Sequence, residues 1–423
     1  MRGNPVVAAQ WSFPDAMARR STSLLSMALV VALLATVAGC TRRGGETSPP
    51  GGTPPPDRKR AADLAERLQK LLDDLVQRPD NIRSGLLLVE GPGFRWKGAS
   101  GVASEATGAA MLPDDQFAID SIAKTMTATI VMELVEEGRL ALDDPIGRYL
   151  PRSLMDGLHV IDGRSYSGLV TVRHLLNHSS GIPDDWSCAD FLDQIAGDLE
   201  RRWIPEETIA HVKTNCEPKF PPGEGFAYSD TGYNLLGLII ERVSGSALHD
   251  AYRERLLDPL GMGHTYRPAF ETPRASIPGR PPSERFLGDV ECSLSPAVMT
   301  ADWGGGGLVS TTEDLNRFLR AFVGDRIFRE PGTRSQMLTW VESGPFHGYG
   351  FGIGLVDFDR SDNPAHAGLG QVWGHAGSSR NFMYYWPRRD VTLIGTLNQI
   401  DCERNLYDIV ASAMVAVRDT LFG

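Results

Sequence analysis

The stretch Phe117-Ala118-Ile119-Asp120-Ser121-Ile122-Ala123-Lys124-Thr125-Met126 decides the reading of this chain. An apolar strand end feeds a turn with a serine, and a lysine follows one helical turn later. Residues three apart on a helix share a face, so the Ser121 hydroxyl and the Lys124 amine can meet. A serine at a helix N-terminus lies beside unpaired backbone N–H groups, in the positive end of the macrodipole, which favours an alkoxide. The commonest alternative for such a serine is a plain N-cap. Composition weighs against it: of 42 Lys+Arg only six are lysines (59, 70, 97, 124, 213 and 219), so nearly every cation here is arginine. A lysine in an apolar helix start points to chemistry that arginine, which does not deprotonate, is unable to perform.

Outward from this stretch, the pattern predicts helices and strands in distinct zones. Ala61 to Val76 carries Leu64, Leu68, Leu71, Leu72 and Leu75 at helical spacing. Gly85 to Glu90 and Phe94 to Val102 read as a hairpin turned at Gly91-Pro92-Gly93. A helix from Ser121 to Glu137 is stopped by Gly138, and a short one covers Thr171 to Asn177. The middle, 183 to 261, is helix-rich, with the apolar run Tyr233 to Val243. Gly304 to Gly307 is a permissive backbone run, and Ser310-Thr311-Thr312-Glu313 reads as a capping box opening a helix to Phe322. Tyr349 to Phe358, Gln371 to His375, Asn381 to Trp386 and Val391 to Asn398 read as strands, and Asn405 to Leu421 as a closing helix. Strands near both ends with a helical middle imply an α+β fold: an antiparallel sheet flanked by helices, with a mostly helical inserted region.

The N-terminus reads as a targeting segment, with Arg19-Arg20 before the apolar run Leu24 to Val37. That run is too short to span a bilayer comfortably. Val37-Ala38-Gly39-Cys40 resembles a bacterial lipobox, which implies cleavage before Cys40 and lipidation of its sulfur. Met17 is a more natural start than Met1. Residues 1–39 thus read as a signal peptide, 40–61 as a Pro/Gly-rich tether, and 62–423 as the globular domain that this tether would hold outside the membrane. The formal charge of −11, or 39 − 52 = −13 after loss of Arg2, Arg19, Arg20 and Asp15, disfavours nucleic acid as a partner. The nine histidines form no H-E-x-x-H or similar cluster, so neither a metal nor another cofactor is expected. Cys188, Cys216, Cys292 and Cys402 allow three pairings; Cys188 with Cys216 and Cys292 with Cys402 is the favoured one.

A serine nucleophile needs a proton acceptor and donors for its oxyanion. Two later stretches offer these: Tyr228-Ser229-Asp230, and Trp373-Gly374-His375-Ala376-Gly377-Ser378. With S-x-x-K at Ser121/Lys124, Y-x-D at Tyr228/Asp230 and H-x-G at His375/Gly377 in that order, the chain resembles the penicillin-recognising serine hydrolases. These include class C β-lactamases, DD-peptidases and related esterases. Flanking text at 140–151, 175–184, 233–245 and 305–315 extends the resemblance over roughly 62 to 423.

The resemblance implies an acyl-enzyme on Ser121, proton transfer shared by Lys124 and Tyr228, an oxyanion hole from the Ser121 and Ser378 N–H groups, and substrate binding by Asp230, His375 and Gly377. Asp230 departs from the family asparagine. An adjacent carboxylate holds a lysine as ammonium, and the expectation is that Lys124 then stabilises a Tyr228 tyrosinate as base. His375 in place of lysine resembles the DD-peptidase and esterase branches. The resemblance favours a D-alanyl-D-alanine carboxypeptidase acting on peptidoglycan stem peptides. A carboxylesterase or D-amino-acid amidase is the alternative, and a slowly turning-over penicillin-binding sensor the second.

Overall fold

The structure, a computed structural model, describes residues 57–77, 81–344, 347–402 and 406–423. The expected signal segment, Cys40 and residues 41–56 of the tether lie outside the described residues. The last part of the expected tether is helical: α1 (Arg58–Val76) begins there because Asp57 caps it, accepting from the Arg60 N–H at 2.9 Å. Among the described residues no helix is long and apolar enough to cross a membrane.

One large sheet organises the chain. Its strands are β1 (Ser84–Gly91), β2 (Phe94–Ser104), β3 (Ala109–Ala110), β4 (Val341–Gly344), β5 (His347–Tyr349), β6 (Gly354–Asp357), β7 (Gln371–Ala376), β8 (Phe382–Trp386) and β9 (Val391–Thr396). The spatial order is β4-β5-β6-β7-β8-β9-β1-β2-β3. Every neighbouring pair is antiparallel, and β9 joins the two sequence-distant groups by pairing Ile394 with Leu88. Everything between β3 and β4 is the inserted region expected from the sequence.

Side chains alternate across a strand, and here the alternation builds two cores. Leu87, Val89, Phe382, Tyr384, Trp386 and Leu393 face one layer, where Leu64, Leu68 and Leu72 of α1 meet Ile409, Val410 and Met414 of the last α-helix. Leu86, Leu88, Trp373, Met383 and Ile394 face the other, packed against the inserted helices. Those that matter for the site are α2 (Ala123–Glu136), α3 (Val172–Leu176), α4 (Asp230–Ser244) and α5 (Thr312–Val323); the chain closes with α6 (Leu406–Val417).

Three details differ from the sequence reading. The expected strand Tyr349 to Phe358 is two strands, β5 and β6, because residues 350–353 leave the sheet. Gly352, at φ +66°, donates to the Leu176 carbonyl at 3.2 Å, and a Cβ there would lie 2.6 Å from the Lys124 carbonyl oxygen. The cap of α5 is Thr311, one residue later than expected, accepting from the Asp314 N–H. Cys188 and Cys216 are bridged, whereas Cys292 is a buried thiol donating to the Arg285 carbonyl, so the expected Cys292–Cys402 bridge is not formed.

Candidate active site

Ser121 sits in a single 3₁₀ turn, Asp120–Ile122, that runs directly into α2. The three-residue spacing does what the sequence implies: Lys124 Nζ donates to Ser121 Oγ at 3.0 Å. Lys124 is fully buried, and its other N–H bonds go to Asp230 Oδ1 and to the Gly305 carbonyl at 2.9 Å. Three acceptors match the three donors of an ammonium. Burial alone would lower the lysine pKa, but the Asp230 carboxylate in contact with it leads the interactions that outweigh this and hold it well above its ordinary value. The expected Asp230–Lys124 contact is therefore present, and Lys124 rests as ammonium.

Tyr228 and Asp230 flank the start of α4, where Ser229 caps the helix by accepting from the Gly232 N–H at 3.2 Å. The Tyr228 ring lies 5.0 Å from Lys124 Nζ. Burial drives the phenol well above its ordinary pKa, and the opposing pulls of the Lys124 charge and of hydrogen bonding to Lys124 and Ser121 do not cancel this. The resting site thus holds a phenol, in contrast to the tyrosinate expected from the sequence. Desolvation of an anion, invisible in the motif, is the physical reason.

His375, on β7, is 4% exposed, and both its ring nitrogens are engaged within the protein. Nδ1 lies 2.7 Å from the Ala376 carbonyl, which only accepts, so this nitrogen carries the proton. Nε2, 2.8 Å from the Tyr349 hydroxyl, is then the acceptor. Burial, with the Lys124 charge behind it, pushes the imidazole down to about 3. At neutral pH His375 therefore holds no charge.

Gly377 follows in the turn between β7 and β8. A Cβ there would fall 1.9 Å from Asn381 Oδ1 and 2.8 Å from the Asp120 Cβ, so the turn's own packing requires glycine. Ser378 is half-buried; its hydroxyl donates to Asp120 Oδ2 at 3.0 Å, which ties it to the residue preceding Ser121.

Several site residues were not singled out from the sequence. Asp302 lies beneath the glycine run: a Cβ at Gly305 would be 2.4 Å from Asp302 Oδ1, 2.6 Å from Asp230 Oδ1 and 2.9 Å from Lys124 Nζ. Burial first, then the Asp230 charge, raise Asp302 to about 8 and Asp184 to about 7. Asp184 Oδ1 accepts from the Asp230 N–H at 2.9 Å. Asp184, Asp185 and Asp230 bring carboxylate oxygens within 4.8 Å of one another, as a metal site would, but Lys124 already brings a cation to Asp230. His178, in the quoted segment 175–184, accepts from the Ser229 N–H at 3.1 Å, and its ring lies 4.3 Å from that of Tyr228. It braces the tyrosine from behind.

This arrangement can acylate a serine: a hydroxyl touching an ammonium, a carboxylate behind that ammonium, and a phenol beside both. Comparisons with known proteins agree with this chemistry. The beta-lactamase family model matches residues 68–405. Penicillin-binding protein 4 of Amycolatopsis lactamdurans is 31% identical over 66% of this chain and 71% of its own length. Esterase EstB of Burkholderia gladioli is 28% identical over 75% and 87%. Among solved structures, a D-stereospecific amidohydrolase from Streptomyces sp. superposes with a TM-score of 0.68 at 26% identity, covering 85% of this chain and 99% of that one. The D-amino acid amidase of Ochrobactrum anthropi SV3 gives 0.68 at 25%, covering 84% and 99%.

Proposed function

The chain belongs to the beta-lactamase family of serine hydrolases, and from that premise we propose that it cleaves small amides or esters whose leaving side carries no carboxylate, through an acyl-Ser121 intermediate. The observation that carries the substrate class is the neutral, internally satisfied His375. A terminal carboxylate needs a cation to offset its desolvation, and the residue at this position offers none. The similarity to a D-amino acid amidase and to an esterase supports the same class.

In the proposed acylation, Asp230 takes one proton from Lys124 Nζ as Nζ takes the Ser121 proton. Ser121 Oγ attacks the carbonyl carbon, and the oxyanion is received by the Ser121 and Ser378 N–H groups. Tyr228, resting as a phenol, protonates the departing nitrogen or oxygen and is reprotonated through Lys124. Water then releases the acyl group with these roles reversed.

A second reading, the D-alanyl-D-alanine carboxypeptidase favoured by the motifs, draws on the similarity to a penicillin-binding protein. Assays on D-phenylalanine amide, p-nitrophenyl acetate and a D-Ala-D-Ala peptide separate the two. The first two should be turned over faster than the third, and Ser121→Ala should lower activity by ~10⁴–10⁶-fold. Faster release of D-alanine than of ammonia or nitrophenol would favour the carboxypeptidase instead. Anchoring through a lipidated Cys40 at the outer face of the bacterial cell membrane is part of the proposal, on sequence grounds. Cys40→Ala should move the protein from the membrane to the soluble exported fraction; unchanged membrane recovery would contradict the anchor.

A further inference from the structure

Asp120, the residue before the nucleophile, sits at φ +45°, a left-handed conformation that L-residues adopt only under constraint, aspartate and asparagine more readily than most. Its carboxylate is consumed by the protein. Oδ2 accepts from Ser378 Oγ at 3.0 Å, the Ser379 N–H at 2.8 Å, Ser379 Oγ at 2.6 Å and Asn381 Nδ2 at 3.0 Å. All four donors belong to the turn joining β7 to β8. Oδ1 accepts from Arg285 Nη1 at 2.5 Å, and that buried arginine also donates to the Cys292 carbonyl at 3.0 Å. The Ser378 backbone N–H, by contrast, makes no hydrogen bond to another described residue.

We infer that Asp120 is the positioning residue of the oxyanion hole: its carboxylate pulls the 378–381 turn onto the nucleophile's own backbone, so the Ser121 and Ser378 N–H groups are held at a fixed separation. The inference rests on the acyl-serine reading above. Charge matters as well as shape. A carboxylate can receive donors on both oxygens, whereas an amide has one oxygen and an N–H₂ group that would confront either Arg285 or the serine turn. Asp120→Asn must therefore release one side of the clamp while leaving Lys124, Tyr228 and Asp230 in place. A donor aimed at a developing oxyanion acts in the transition state more than on bound substrate.

The test uses the full-length protein with p-nitrophenyl acetate as substrate and phenylboronic acid as a tetrahedral-adduct mimic. Asp120→Asn should lower kcat by ~10²–10³-fold and weaken the boronate by a comparable factor, with KM little changed. Ser379→Ala, which removes one arm of the clamp, should show the same pattern at about 10-fold. Should Asp120→Asn not fold, Asp120→Asn/Arg285→Met removes both charges together and avoids stranding a buried guanidinium; its kcat and boronate affinity should fall in the same way. Asp120 variants that keep kcat and boronate affinity within about threefold, or that lose kcat and KM only in step with thermal stability, overturn the inference. Activity surviving in Ser121→Ala would instead overturn the acyl-serine reading on which it stands.

Discussion

Asp120 and Asp230 lie on either side of the same nucleophile and are equally buried, each 7% exposed, yet their surroundings are opposite. Asp120 has one arginine to itself and four further donors. Asp230 shares a single ammonium with Asp302, while Asp184 and Asp185 crowd behind it. A carboxylate with donors on both oxygens fixes geometry; carboxylates competing for one cation keep protons near the point of transfer. In the proposed mechanism the same residue type is a clamp on one side of Ser121 and proton machinery on the other.

Removing the shared cation should break the contrast most visibly. Lys124→Met is expected to lower kcat by ~10²–10⁴-fold and to destabilise the protein more at pH 8 than at pH 5, because Asp184 and Asp302 must then stay protonated or sit uncompensated. Equal loss of stability at both pH values, read by thermal denaturation, would mean that the carboxylates do not depend on this lysine. Asp230→Asn should cost less, ~10–10²-fold in kcat, since Lys124 remains. Losing the carboxylate that holds the ammonium lowers the lysine pKa, and the pH–rate profile should shift accordingly. A profile superimposable on the wild type would exclude Asp230 from the proton path.

Smaller effects sharpen the picture. Asp302 is raised to about 8 when folded and titrates near 3.9 when unfolded, so between those values the folded state binds the extra proton. Stability must fall as pH rises through that window. Asp302→Asn should therefore raise the melting temperature by about 2 °C or more at pH 8–9 and change little at pH 4. His375 has the reverse sign: about 3 folded against about 6.5 unfolded. Its burial costs stability at low pH, the cost disappears as pH climbs from 3 to 6.5, and nothing further changes above. His375→Gln should flatten that acid limb in a pH series of melting curves. A limb left as steep as the wild type's would show that the imidazole is not held neutral.

What could be read from sequence followed chain proximity. Ser121 and Lys124 share a helical face, the Tyr228–Asp230 pair flanks the start of α4, and the apolar runs of β1, β8 and β9 are plain, so the fold and the core of the site were legible. The contacts that reassign roles join distant residues. His375 is read from sequence as a substrate ligand, and the Tyr349 hydroxyl that engages its Nε2 lies 26 residues away. Asp120 meets Ser379 across 259 positions, and Asp302 reaches the site through Gly305, whose lack of a Cβ makes the room. Tyr228 reads as an anion until its burial is known. Burial and long-range pairing, both properties of the folded chain, are what the motifs do not carry.

The most direct test of the central claim is a matched pair of D-Ala-D-Ala peptides, one with a free C-terminal carboxylate and one capped as the carboxamide. Each is mixed with the full-length protein, quenched rapidly and read by intact and peptide-level mass spectrometry. The neutral His375 and the acyl-serine reading predict faster acylation by the capped peptide, with the adduct on Ser121 and none on Ser121→Ala. Preference for the free acid, or an adduct elsewhere, would contradict the account.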